Sequence, residues 1–466
     1  MILENRTLEE LKPGDTAELR RLCTVDDVLA FANVSGNHNP MHHHAKDGDG
    51  DGQAEIVVPG SMVAAFLTAV LGTVLPGGGT LSRALEVRFP NRAVAGDELV
   101  SRVTVVSVDR AEGLVTLDAL VTRAADGLVL LEGRATVQAP RTKVAYDTRD
   151  MPGLIVQRHR HFEALLARAA PLPALRTAVV CPEKPDALNG ALLARDHTLI
   201  EPVLLGSAAR IAAVAAELGR DLTGIEVIDL PDPVAAAAAA VALAREGKVQ
   251  ALMKGHLHTD ELLRPAVDRD TGLRGRRRFS HVFVMDVPGL AHPLLVTDAA
   301  INIAPDLMTK VDIVQNAIDL ALSLGIEQPK VGVLSAVETV NPALPSSIDA
   351  ALLSKMAERG QIKGGVVDGP LAMDNAVDMA AARTKGITSP VAGRAEVLVV
   401  PGIDAGNMLA KQLTYLSHAE AAGVVIGARV PIILNSRADD DMARLASCAV
   451  AALYDLWLRD QNRAGR

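Results

Sequence analysis

Val430-Pro431-Ile432-Ile433-Leu434-Asn435-Ser436-Arg437-Ala438-Asp439-Asp440-Asp441 joins an apolar run to a polar one near the C-terminus. Val430 to Leu434 reads as a short buried strand, and Met442 to Leu458 reads as a helix. A serine hydroxyl and a guanidinium therefore stand where a strand hands over to a helix. In open α/β sheets that is the ligand-binding edge. Arg437 carries a planar fork that can grip a phosphate or carboxylate with two parallel hydrogen bonds. The site is built for an anion.

The strand-to-helix pattern recurs upstream. From Arg176 onward the apolar runs are Thr177–Cys181, Pro202–Gly206, Ile225–Ile228, Val249–Met253, His281–Met285, Pro293–Val296, Val331–Leu334, Val397–Val400 and Pro431–Leu434. Amphipathic helices lie between them. Leu307, Val311, Val314, Ile318 and Ala321 share one helical face, which stops at Gly325. Alternation of this kind predicts an α/β domain with a mostly parallel sheet.

Polar groups follow the ends of these runs: Lys254, His256 and Thr259; Asp298 and Asn302; Ser335 and Glu338; Asp368; Asn407 and Lys411; then Asn435 to Arg437. In a parallel sheet the ends share one edge, so the pattern predicts a crevice ringed by hydrogen-bonding and cationic groups. The alternative is that loops are polar in any protein.

Residues 8–140 read differently. An early helix near Thr24 to Ala32 leads to a polar loop with His38, His42, His43 and His44. The apolar helix Met62 to Leu75 comes next, then strands at Ser82–Phe89, Asp97–Val108, Gly113–Arg123 and Gly127–Gln138. One apolar helix followed by an antiparallel meander predicts an α+β layer, the sheet wrapped on the helix. Residues 141–172 are polar and basic and read as a linker with a short helix near His161 to Ala169; residues 173–466 form the α/β domain.

Composition sets the bounds. The 466 residues are 49% hydrophobic but only 2% aromatic, so Ala, Val and Leu build the cores. A net charge of −9 argues against a nucleic-acid partner. Cys23, Cys181 and Cys448 have no pairing pattern and suit a reducing cytoplasm. The N-terminus lacks a signal-peptide apolar stretch, and no apolar run is long enough to span a bilayer. The expectation is a soluble cytoplasmic protein with no membrane partner.

Lys254-Gly255 with Thr259 and Arg264-Pro265, Ser280-His281, Thr297-Asp298-Ala299-Ala300-Ile301-Asn302, Asp368-Gly369-Pro370-Leu371, Pro390 to Ala395, Gly406-Asn407 with Lys411, and Ser436-Arg437 occur in one order. That order resembles the phosphate acetyl/butyryltransferase family over roughly residues 175 to 463. The resemblance implies a two-lobed α/β fold like isopropylmalate dehydrogenase, with a cleft between the lobes. It also implies transfer of a short acyl group between coenzyme A and inorganic phosphate by direct attack. Both are substrates, with no permanently bound cofactor. Arg437 and Arg264 suit phosphate oxygens, and Ser436 can donate to the phosphate or the thioester. The alternatives are a surface ion pair for Arg437 with its adjacent aspartates, and a solvated helix arginine for Arg264.

The acetyltransferase branch of the family carries a catalytic Asp seven residues after the motif serine. Here that position is Ala443, and the Ser-Arg-Ala-Asp wording resembles the butyryltransferase branch. Asp439 is the candidate base among Asp439, Asp440 and Asp441. The alternative is favourable acidic placement in a helix's first turn. Arg274, Arg276, Arg277 and Arg278 either meet coenzyme A phosphates or form a solvated loop. Cys181 and Cys448 read as inert packing residues.

Phe31-Ala32-Asn33-Val34-Ser35-Gly36-Asn37-His38-Asn39-Pro40-Met41-His42, with Pro59-Gly60-Ser61-Met62 and Val87-Arg88-Phe89-Pro90, resembles the MaoC-like enoyl-CoA hydratases of hotdog fold over about residues 15 to 138. The family's His matches His42, and its Asp position is Asn37. An amide cannot act as general base, though it can orient a water. Reduced hydratase activity is the expectation. His42, His43 and His44 are poorly spaced for one zinc, and the Asp47 to Gly52 run lacks the acidic twelfth residue of a calcium loop, so no metal is expected.

The leading expectation is a phosphate acyltransferase with a fused hydratase-like domain. The alternatives are mainly a hydratase (lyase), or an acyl-CoA-binding assembly protein with an inactive transferase domain. Both resemblances imply a homo-oligomer, a dimer or larger.

Overall fold

The structure, a computed structural model, describes residues 2–43, 47, 52, 54–147, 159–435 and 440–464. The chain divides into two compact units, Met1–Val156 and Gln157–Arg466. Among the described residues no helix is long and apolar enough to cross a membrane.

In the first unit the apolar helix spans Gly60–Thr73 and buries Met62, Val63, Leu67, Val70 and Leu71. It packs on a five-stranded antiparallel sheet in the order Thr16–Leu22, Glu98–Asp109, Leu114–Arg123, Val129–Gln138, Leu81–Arg88. Val115, Leu117, Ala119 and Val121 alternate inward, as a half-buried strand requires. The strand Thr16–Leu22 was not anticipated. It lies at the sheet edge, mostly exposed, and Arg20-Arg21 breaks its alternation. Gly133 makes the pairing with Leu81–Arg88 possible: a Cβ there would lie 2.0 Å from the Glu86 carbonyl oxygen.

The helix Val25–Ser35 begins at Thr24, whose hydroxyl accepts from the Asp27 N–H, while the Asp27 carboxylate accepts from the Thr24 N–H. This reciprocal cap fixes the start. Gly36, at φ 70°, ends the helix and releases the chain into the Asn37–His42 loop.

The second unit is built on one eleven-stranded sheet. Its order is Glu226–Asp229, Ile200–Gly206, Leu175–Val180, Ala251–Lys254, Ile432–Ile433, Glu420–Ile426, Ser280–Asp286, Leu294–Thr297, Val397–Val399, Lys330–Leu334, Val366–Leu371. The first five strands are parallel to one another, and so are the last four. Between them, Glu420–Ile426 and Ser280–Asp286 pair antiparallel with each other and with their outer neighbours. The two parallel blocks therefore run in opposite directions. This corrects the expectation that all strand ends share one edge. The odd number of antiparallel steps at the centre reverses the chain direction once.

The strand Glu420–Ile426 carries no clear strand pattern in its sequence. Its Glu-Ala-Ala-Gly opening has low β-propensity; burial between two neighbours holds it in the sheet. The long helix Asp441–Ala464 covers it, and the Ser447 hydroxyl accepts from the Gly423 N–H at 3.2 Å. The helix Arg160–Ala169 buries Phe162, Leu165 and Ala169 in this unit's core. The Phe162 N–H donates to Asp286 Oδ2 at 2.8 Å.

Candidate active site

The strand Ile432–Ile433 lies between a parallel neighbour, Ala251–Lys254, and an antiparallel one, Glu420–Ile426. Met253 pairs with Ile433, so the next step up each strand sets Lys254 beside Leu434. The Leu434 N–H donates to the Gly423 carbonyl at 3.1 Å. Asn435 follows, 3% exposed, and neither polar atom of its amide has a partner among the described residues. Ser436, Arg437 and Asp439 lie outside the described residues.

On the far side of that segment, Asp440 Oδ1 accepts from the Ala443 N–H at 2.8 Å, capping the helix Asp441–Ala464. Asp440 and Ala443 line a cavity of about 270 Å³. Asn407 and Lys411 line it too. They stand four residues apart on the helix Ile403–Leu416 and so share a face. Phe283 and Glu420 complete the wall from the central strands.

Glu420 is the perturbed group here. Burial pushes its carboxyl up to about 8, helped by the Asp440 charge, a hydrogen bond with Asp440 and the Asp286 charge. His159 Nε2 stands 3.3 Å from Glu420 Oε1. Glu420 Oε2 is buried without a partner among the described residues. No sequence motif pointed to Glu420, because the strand that carries it was not recognised.

Asp298 and Asn302 form a neighbouring unit. Asp298 is 2% exposed. Its carboxylate accepts from the N–H groups of Ala300, Ile301 and Asn302 and from the Asn302 side-chain amide. The same amide donates to the Phe279 carbonyl at 2.9 Å. Asp298 thus shapes its own loop. The helix carrying Asn407 packs closely on that loop: a Cβ on Gly406 would lie 2.7 Å from the Asp298 carbonyl oxygen. Nearby His281 is buried, and desolvation lowers its pKa to about 4 against the opposing pull of Asp298.

The remaining candidates scatter. Thr259 opens the helix Thr259–Ala266 that follows Lys254. Arg264 on that helix is 80% exposed and pairs with Asp260 at 3.4 Å, as a solvated helix arginine does. Asp368 lies within the strand Val366–Leu371 rather than after it, and accepts from the Gly369 N–H. That strand is the sheet edge, six positions from Ile432–Ile433, or roughly 29 Å at about 4.8 Å per strand. Arg264 and Asp368 are therefore not among the walls of the 270 Å³ cavity. Arg277 is tied to Asp319 at 2.6 Å and, with Arg276, borders a separate cavity of about 940 Å³. Cys181 and Cys448 are buried, and burial pushes both thiols up to about 12.

In the first unit, His42 is buried with Nδ1 2.6 Å from the Val57 carbonyl. It lines a cavity of about 680 Å³ with Glu55, Phe89, Arg92 and Arg123. Arg92 Nε lies 2.7 Å from Glu55 Oε1. Asn37 is half-buried in the preceding loop, its Oδ1 accepting from the Asn39 N–H at 3.3 Å. It is not among the cavity's lining residues. His44 and most of the Asp47 to Gly52 run lie outside the described residues.

Residues 230–452 match the phosphate acetyl/butaryl transferase family, and residues 10–124 match the MaoC like domain. A phosphate acetyltransferase of Rhizobium meliloti is 60% identical over 294 residues, covering 63% of this chain and 93% of that protein. A phosphate butyryltransferase of Clostridium beijerinckii is 40% identical over 294 residues, covering 63% of this chain and 97% of its own length. A branched-chain phosphotransacylase of Enterococcus faecalis, of known structure, is 31% identical with a TM-score of 0.53, covering 60% of this chain and 99% of that one. A long, nearly end-to-end match of this strength leaves one conclusion: the chain belongs to the phosphate acetyl/butyryltransferase family and carries a MaoC-like domain ahead of its transferase domain.

Proposed function

We propose that the second unit moves a short acyl group, acetyl or butyryl, between coenzyme A and inorganic phosphate. The observation that carries this reading is the cavity lined by Asn407, Lys411 and Asp440, the last of which follows Arg437 by three residues in the sequence, near a strand end where α/β sheets bind ligands. A phosphate oxygen attacks the thioester carbon, the carbon–sulfur bond breaks, and coenzyme A leaves as the thiol once its sulfur gains a proton. Arg437 holds the phosphate, Ser436 donates to it or to the thioester oxygen, and Lys254, Asn407 and Lys411 add donors. Asp298 and Asn302 act by shaping the adjoining loop. Such a site works by positioning and charge stabilisation. Arg264 and Asp368 stand outside this set.

The same reading takes the second unit as two lobes of the isopropylmalate dehydrogenase-like kind, a cytoplasmic setting, and an oligomer of at least two chains. The reversal of strand direction at the sheet centre suits two lobes meeting there. The transferase domain is taken over 173–466 and the hydratase-like domain over 8–140; from the intervening 141–172, the helix Arg160–Ala169 packs into the second unit's core. The His42 cavity supports a second, weak enoyl-CoA hydratase activity.

The test follows free thiol from acetyl-CoA and butyryl-CoA with and without phosphate. Phosphate-dependent release is expected, abolished by Arg437→Ala and unaffected by Asn37→Ala. No phosphate-dependent release from either thioester overturns the reading.

A further inference from the structure

The acyl-transfer reading needs a group to handle the proton of the coenzyme A thiol. Ala443 stands where one branch of the family keeps an Asp, and a methyl group carries no proton. We infer that Glu420 is the catalytic acid–base residue of this site, giving its proton to the coenzyme A sulfur as the thioester breaks and taking it back from the thiol in the reverse direction. The inference rests on that reading and deepens it.

The geometry favours Glu420. It lines the same 270 Å³ cavity as Ala443. Its Oε2 has no partner among the described residues, and its carboxyl also meets Asp440, whose Oδ1 accepts from the Ala443 N–H. Among the described residues, the charged or titratable groups near Glu420 include Tyr415, which lines the same cavity. The others are His159 ahead of the helix Arg160–Ala169, Asp286 on the adjacent strand, Asp440 at the start of the long helix, and Lys411 in the cavity wall.

Burial and the two aspartates hold the Glu420 proton up to about 8. A thiol releases its own proton at about 8–9. Donor and acceptor are therefore nearly matched, the condition under which general acid–base catalysis is most effective. The step balances. In phosphorolysis the phosphate–carbon bond forms and the carbon–sulfur bond breaks, while the Glu420 proton passes to sulfur. In the reverse direction sulfur attacks the acyl phosphate, phosphate leaves, and the thiol proton returns to Glu420. Phosphorolysis needs the protonated carboxyl, so its rate falls as pH rises through about 8. Thiol attack needs the carboxylate, so its rate rises over the same range.

The experiment measures both directions from pH 6 to 9 in the full chain and in Glu420→Gln. The expected result is a kcat loss of about 10²-fold or more, KM values for phosphate and acyl-CoA within a few-fold, and disappearance of the inflection near 8. A variant rate within about three-fold of the parent, or an inflection that persists unchanged, overturns the assignment. Absence of phosphate-dependent thiol release from the parent protein instead overturns the acyl-transfer reading itself. Should Glu420→Gln not fold, Glu420→Asp decides, since a shortened carboxyl should lose rate and shift the inflection; an unmoved inflection overturns the proposal.

Discussion

Asp286 and Glu420 pair directly across the antiparallel strands Ser280–Asp286 and Glu420–Ile426. Two carboxylates in register repel each other, and burial adds to the cost of a second charge. Burial is the main reason the Glu420 carboxyl is held up to about 8; the Asp440 charge and a hydrogen bond with Asp440 come next, and the paired Asp286 adds the smallest share.

That proton makes stability depend on pH with a definite sign. The unfolded carboxyl titrates near its ordinary 4.5 and the folded one near 8, so this contribution is full below about 4.5 and is lost as pH rises through 8. Glu420→Gln removes the titration. The melting temperature of the variant relative to the parent should climb between pH 5 and 8. A difference that stays constant with pH contradicts the raised pKa.

His281 predicts the opposite slope. Burial keeps it neutral, with its pKa lowered to about 4. The contribution is present above the unfolded value of 6.5 and is lost as pH falls toward 4. Thermal melts of His281→Gln and the parent should converge on acidification from pH 7 to 4.5. Parallel curves would mean that the imidazole carries no such linkage.

Asp298 accepts hydrogen bonds from its own loop. Replacing it with Asn leaves an amide NH₂ facing backbone donors that the carboxylate now accepts. Asp298→Asn should lower stability by about 1–3 kcal/mol, read as a reduced urea midpoint with unchanged slope. Because Gly406 packs on this loop, the KM for phosphate should rise as well. An unaltered midpoint sinks the assignment.

Asn37 holds the Asn39 N–H through Oδ1. An aspartate can keep that bond and supply a base, so Asn37→Asp should raise crotonyl-CoA hydration by the full chain by about 10²-fold or more. His42→Ala in the same background should remove the gain. Parent turnover already matching ordinary hydratases would show that Asn37 is no impairment.

Much of the fold is legible because hydrophobic periodicity is local. The helix face from Leu307 to Ala321 and its stop at Gly325 lie where the spacing puts them. So does the apolar helix of the first unit. Edge and centre were harder. Thr16–Leu22 lacks clean alternation because an edge strand keeps much of its surface in water. Glu420–Ile426 opens with Ala and Gly, which fit a strand only because neighbours bury it on both sides.

The site divides in the same way. By itself the sequence determined the Ser436-Arg437 wording, which we propose grips an anion, the absence of an acid at Ala443, and the amide at Asn37, since each is a matter of residue identity at a given spacing. Only the tertiary structure decided that Asn407, Lys411, Asp440 and Glu420 share one cavity while Arg264 and Asp368 do not. The direction of a strand and the residue across from it depend on pairings between segments far apart in the chain. A carboxyl's proton depends in turn on which charges those pairings bring beside it.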